Sequence, residues 1–192
     1  KEFWPDSGRV VFDPDGKPVD IVEVSEIRKM SLTRRILDLA ESLQELSQQK
    51  IQREIKKVVP SAKKARTMFP ELFGHFEKNK ILTPVELKKL LPDSMTYYSL
   101  HCGGTETKYY GEELESASPV SNAAVYLFRS GAFFKSVFAL TADNAQNEEY
   151  LTDVVRILSA GDRENWDIIT VRAKDYHEVM AFNNPEELLK IE

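Results

Sequence analysis

Six consecutive apolar residues constrain the fold of this chain more than any other feature: Ala123, Ala124, Val125, Tyr126, Leu127 and Phe128. A strand with one wet face alternates apolar and polar side chains. An unbroken apolar run is what a strand covered on both faces requires, so helices must pack on its sheet. Asp167, Ile168, Ile169, Thr170 and Val171 read as a second strand. Residues 8–24 read as a hairpin. Arg9, Val10, Val11 and Phe12 form an extended run, and Pro18 to Val24 alternates with a period near two. Between them, Pro14 presets a turn and Gly16 is free to take a positive φ. Ser130 is expected to cap a helix reaching about Leu140. Tyr150, Leu151, Val154, Val155 and Leu158 give helical spacing over 148–158, and Asn184, Pro185, Glu186 and Glu187 open a helix near 185. This order of elements is α/β.

The middle of the chain departs from that order. Leu32, Ile36, Leu39, Leu43 and Leu46 recur at helical spacing, and Ile51, Ile55 and Val58 resume the stripe after a five-residue step. The spacing predicts one amphipathic helix ending before Pro60, about 40 Å long at the usual rise per residue. Its stripe must pack on the following helices or on a second copy, and the irregular step argues against a long regular coiled coil. A second helical stretch covers 61–78, interrupted at Met68, Phe69 and Pro70. Thr83, Pro84 and Glu86 form a helix start for 84–91, which stops at Pro92. Residues 93–119 are expected to be irregular, with Gly103, Gly104 and Gly111 as breakers.

Charge follows the same division. The net charge is −5, yet residues 28–66 hold 11 basic and four acidic side chains, a balance of +7 against −12 for the remainder. Such asymmetry marks either a solvated helix face or a basic interaction surface. Nucleic acid is not the expected partner, because the basic helix lacks interleaved aromatics and the whole chain is acidic. The single cysteine excludes an internal disulfide framework and fits a reducing, cytoplasmic setting. No apolar run approaches the length of a membrane span. With ten Phe, seven Tyr and two Trp the chain carries enough apolar bulk for a core.

Residues alone carry little chemistry. His101 and Cys102 are sequence neighbours whose side chains usually diverge, and no partner acid is evident. Three histidines and one cysteine, all far apart, do not supply zinc spacing. The glycine pair Gly103 and Gly104 lacks the spacing of any phosphate-binding loop. Read this way, the chain is an α/β domain with a helical insert.

Two separated blocks resemble a known family. Gly8, Arg9, Val10 and Val11, with Asp15 and Gly16 and then Ile21, Val22 and Glu23, are similar to a stretch of sugar-1-phosphate nucleotidylyltransferases. The likeness is greatest to the uridylyltransferase domain that acts on N-acetylglucosamine 1-phosphate. Asn122 to Phe128 resembles the family's N-x-G-I-Y-x-F strand. Leu140 to Asp153 resembles L-T-x-x-N-A-Q-G-E-Y-Y-L-T-D, and Glu178 to Asn184 resembles E-V-x-G-V-N-x. Ala124, Asn147 and Ala181 stand where the family pattern has Gly, and Glu149 where it has Tyr.

The resemblance implies the carboxy-terminal part of a Rossmann-like nucleotide-diphospho-sugar transferase domain, formed by residues 1–27 and 120–192, with a mainly helical insertion over 28–119. It implies a Mg²⁺-dependent enzyme that joins a sugar 1-phosphate to a nucleoside triphosphate, UTP favoured, giving a UDP-N-acetylglucosamine-like product. Glu23 would accept hydrogen bonds from a sugar hydroxyl or amide, and Asn122 would hydrogen-bond the sugar. Gly8 would let the backbone approach an N-acetyl group, and Asn183 would give a neutral oxygen to the metal. The family's nucleotide-binding Gly-rich loop is absent from these residues, which begin at Lys1, so the piece is expected to be inactive alone. The alternative is a non-catalytic interaction or oligomerisation module built on the basic insert.

Overall fold

A computed structural model describes residues 7–43, 45–78, 81–102, 105–118, 120–160, 167–179 and 188–189. Strands β1 (Arg9–Phe12) and β2 (Pro18–Val22) form the expected antiparallel hairpin, with Arg9 opposite Val22 and Val11 opposite Asp20. Asp13 builds the turn. Its Oδ1 accepts from the Asp15 and Lys17 amides (3.0 and 2.8 Å), while Gly16 takes φ 78°. The chain runs straight from β2 into α1 (Val24–Leu43).

The single long helix is not formed. Helix α1 ends at Leu43, a short strand β3 (Leu46–Ser47) follows, and α2 (Gln48–Val58) starts anew. The five-residue step from Leu46 to Ile51 is the cause: at 100° per residue it carries Ile51 off the α1 stripe. Ser47 turns the break into a cap, its Oγ accepting from the Lys50 amide. Helices α3 (Ala62–Met68) and α4 (Pro70–Phe76) meet at Phe69, as the Pro70 interruption predicts. Strand β4 (Ile81–Leu82) pairs with β3, and α5 (Pro84–Leu90) begins with the expected capping box between Thr83 and Glu86. Leu32, Ile36, Ile51, Ile55, Phe69, Leu72, Leu82, Leu87 and Leu91 make the core of this block. Each such side chain contributes about 1.5–3 kcal/mol by leaving water.

Residues 93–102 and 105–117 form regular elements rather than irregular chain. A 3-10 turn (Asp93–Thr96) leads into an antiparallel hairpin, β5 (Tyr97–Cys102) and β6 (Thr105–Tyr110), and then α6 (Gly111–Ala117). Leu100 of β5 and Leu114 of α6 share a hydrophobic cluster with Val11, Val19, Val22, Ile27 and Met30. The helical block and the first hairpin are therefore one packed body, joined through α1.

After residue 120 the structure departs from expectation again. Helix α7 (Ser130–Val137) is shorter than predicted, and no side chain caps it. Helix α8 (Asp153–Ala160) begins five residues later than its apolar spacing suggests. Neither apolar run forms a paired strand. In 123–128, Tyr126 and Phe128 turn inward while Val125 and Leu127 are 77% and 100% exposed. In 167–171, Ile168 packs on Val10, Ile21 and Val155, whereas Ile169 and Val171 are 78% and 86% exposed. Among the described residues only three two-stranded sheets occur, so the architecture is mixed α/β without a larger sheet. The helix expected near 185 lies outside the described residues.

Candidate functional site

The first hairpin, Ser118 and residues 120–126 build the site. Ser118 Oγ donates to Val10 O (2.7 Å), the Val10 amide to Val120 O (3.1 Å), and the Asn122 amide to Gly8 O (2.9 Å). These bonds lay 120–122 antiparallel along β1, with Arg9 opposite Ser121, and set Asn122 beside Gly8. Across the hairpin, Glu23 follows β2 directly. A Cβ added to Gly8 would stand 3.0 Å from Ile21 Cγ2 and 3.4 Å from Glu23 Oε1. Gly8 is thus tight against the strand that carries Glu23, and three residues far apart in sequence converge. Asn183, the fourth residue anticipated, lies outside the described residues.

Local turn chemistry fixes Asn122. Its Oδ1 accepts from the Ala124 amide (2.9 Å), and that turn holds Ala124 at φ 55°. With Oδ1 engaged, the side-chain NH₂ is the donor that remains. Tyr126 stands next to it, close to both Asn122 and Glu23 but without a hydrogen bond of good geometry. Burial pushes the Tyr126 phenol up, the Asn122 side chain opposes this, and the Glu23 charge adds to it. Thr152 flanks Glu23 from the other side, and its buried Oγ1 has no well-formed partner. Burial raises the Glu23 carboxyl above the usual range; Thr152 lowers it and Asp153 raises it further. The buried Tyr126 and Thr152 hydroxyls and the half-buried Glu23 carboxylate thus form a small polar cluster beside Asn122.

A second layer steadies the loop behind it. Glu26 accepts from the Ala145 amide, and burial raises its carboxyl as well. Asn144 Oδ1 accepts from the Gln146 and Glu148 amides (3.2 Å each), and Asn147 adopts φ 55°. Ser25 Oγ and Tyr150 Oη lie 3.2 Å apart, and burial pushes the Tyr150 phenol up to about 12. Sequence reasoning gave no roles to Tyr126, Thr152, Tyr150, Ser25 or Glu26. The signal was available, since Tyr126, Tyr150 and Thr152 lie inside the same quoted blocks.

For the metal, no group of three or more His, Cys, Asp or Glu able to hold an ion occurs among the described residues. Glu23 alone does not make a Mg²⁺ site, so the residues described do not by themselves fit the ion. His101 does not join the site; it sits on β5 opposite Glu106. No helix among the described residues is long and apolar enough to cross a membrane.

No family model matches the chain, and no solved structure matches it. Curated relatives do. The chain is 34% identical over 71 residues to the bifunctional protein GlmU of Koribacter versatilis, covering 37% of this chain and 14% of that protein. It is 38% identical over 71 residues to GlmU of Clostridium perfringens strain SM101, covering 37% and 15%. To GlmU of Limosilactobacillus fermentum it is 39% identical over 77 residues, covering 40% and 16%. The chain therefore spans only a small part of the length of the relatives it matches. What it contains is a partial GlmU-like region, a little over a third of its own length.

Proposed function

We propose that the chain is the sugar-facing part of a nucleotidyltransferase that joins a sugar 1-phosphate to a nucleoside triphosphate, UTP favoured, in a cytoplasmic setting. The observation that carries this reading is the convergence of Gly8, Glu23 and Asn122 beside the buried hydroxyls of Tyr126 and Thr152. A sugar presents several hydroxyls at short spacing, which suits a carboxylate acceptor, an amide donor and two hydroxyls able to do either. Glu23 orients a sugar hydroxyl or the N-H of an N-acetyl group. Asn122 donates from its side-chain amide. Gly8 keeps the wall free of a side chain.

Mg²⁺, with Asn183 as one ligand, belongs to the same proposal, and any further ligands lie beyond the described residues. Bound there, it would neutralise charge on the phosphates. Residues 1–27 and 120–192 form the transferase-like part in this reading, and 28–119 the insertion. The apolar runs 123–128 and 167–171 line a groove of about 1100 Å³, and their exposed side chains suit cover by the rest of a Rossmann-like sheet. The isolated piece is then expected to be inactive.

The test uses the full-length protein with UTP, N-acetylglucosamine 1-phosphate and Mg²⁺, followed by pyrophosphate release. Turnover that falls at least about a hundredfold in Glu23→Ala supports the reading. A full-length protein that binds neither nucleotide nor sugar phosphate overturns it. The second reading, an interaction or oligomerisation module, is favoured by one specific observation: the exposed cationic face of α2 and α3.

A further inference from the structure

The cations of residues 48–66 are sorted by partner. Glu54 is the one acid between Leu46 and Pro70, and it is buried. It takes Lys57 (2.6 Å) and Arg35 (2.8 Å), which hold its carboxyl below the usual range. Arg66 pairs with Glu77. Lys50, Arg53, Lys56, Lys63 and Lys64 are exposed, and no ion pair joins them among the described residues. The face is rigid, because the opposite side of α2 buries Ile51 and Ile55 in the core. Lys50, Arg53 and Lys56 recur every third residue, about 4.5 Å apart along the axis.

Like charges left together cost stability, so an array held this way points to something outside the fold. The face carries no aromatic for a base to stack on and no exposed apolar side chain to enter a bilayer. The chain as a whole is acidic, with a net charge of −5, which disfavours a long polyanion. A short acidic partner meets only the cations. We propose that the α2–α3 face docks a carboxylate-rich segment of another protein, with acids at helical or near-helical spacing opposite Lys50, Arg53 and Lys56. This goes beyond the transferase reading and does not depend on it.

The probe is an octaglutamate peptide titrated into the full chain by fluorescence anisotropy, with short duplex DNA and phosphatidylserine vesicles as parallel arms. Expected is binding at about 50 mM salt that weakens at least about tenfold by about 200 mM, with weaker or no binding in the other arms. A chain carrying Lys50→Glu, Arg53→Glu and Lys56→Glu should lose at least about tenfold in affinity, since each reversal turns attraction into repulsion. Lys63→Glu with Lys64→Glu is a second, independent variant on a different helix. Melting temperature reads whether either variant folds, and the second decides if the first does not. Absence of peptide binding, indifference to both reversals, or tighter binding to duplex DNA or vesicles overturns the proposal.

Discussion

Ala124 offers a sharp test of the site's backbone. It sits at φ 55°, in the left-handed region, pinned there by the Asn122 Oδ1 that accepts its amide (2.9 Å). For an L-residue with a Cβ that conformation costs about 1–2 kcal/mol, because the Cβ crowds a carbonyl oxygen. Glycine does not incur this cost, but it gives up about 0.5–1 kcal/mol of additional chain entropy on folding. The difference predicts that Ala124→Gly stabilises the protein by about 0.5–1 kcal/mol. At this chain length that is a rise of roughly 1–4 °C in melting temperature. Ala124 is exposed, so no packing term competes. Asn147, also at φ 55°, is the internal control. Asparagine tolerates the left-handed region through local hydrogen bonding, so Asn147→Gly should gain only a few tenths of a kcal/mol. Urea unfolding at unchanged slope reads both. If Ala124→Gly is neutral or destabilising with the slope unchanged, the turn is not left-handed, and the placing of Asn122 that depends on it fails.

Four other outcomes follow from the seam between the first hairpin and the helical block. Asp20 is buried, accepts from Tyr98 Oη (2.8 Å), and has its carboxyl raised by burial in spite of Tyr98, the Ile21 amide and Arg156. The folded state therefore holds the proton more tightly than the unfolded chain, so stability falls as pH rises from the ordinary aspartate value of 3.8 through the raised folded value. Asp20→Asn should raise neutral-pH stability relative to the native chain, and the advantage should vanish in acid; melting temperature against pH checks it. Tyr98→Phe removes the hydroxyl and leaves that carboxylate less satisfied, costing about 1.5–3 kcal/mol by denaturant titration. Gly111→Ala places a methyl against Ser31 Oγ and 2.8 Å from Ile27 O, forcing α6 off α1. A loss of about 1–3 kcal/mol is expected in the same titration.

What could be read in advance was local. The Asp13 to Gly16 turn, the Thr83 capping box and the Pro70 interruption each depend on a few adjacent residues, and each appears where expected. The convergence of Gly8, Glu23 and Asn122 was legible only through family likeness, because backbone bonds along β1 bring 122 to 8 and nothing in the intervening residues announces it. The same likeness had glycine at 124 and 147, and both positions take positive φ here. There the family glycine reflects backbone shape as much as room for a ligand. The β5–β6 hairpin was missed although Gly103 and Gly104 separate two Tyr- and Thr-rich runs, a hairpin signal in its own right. Most of β6 is exposed, so no apolar alternation drew attention to it. Strand pairing at 123–128 and 167–171 failed for the opposite reason. Their pattern specifies a strand covered on both faces, but a pattern cannot supply the neighbours that cover it.

The helical block cannot be treated as an appendage that hangs from the site. The proposed boundary at 27/28 falls inside α1, which is continuous from Val24 to Leu43. Leu100 and Leu114 bury against Val11 and Val22. The buried Arg9 guanidinium reaches Glu115 of α6 (3.2 Å), and Asp20 bonds Tyr98 of β5. Removing 28–119 would strip the apolar cover from β1 and β2 and take away the partners of Arg9 and Asp20. Glu23 and Gly8 sit at the ends of those two strands. Whatever binds the outer face of α2 is therefore linked to Gly8 and Glu23 through contiguous packing: α2 onto the later half of α1, and the first half of α1 onto the hairpin. Point substitutions on the exposed face separate docking from site integrity, and deletion of the block does not.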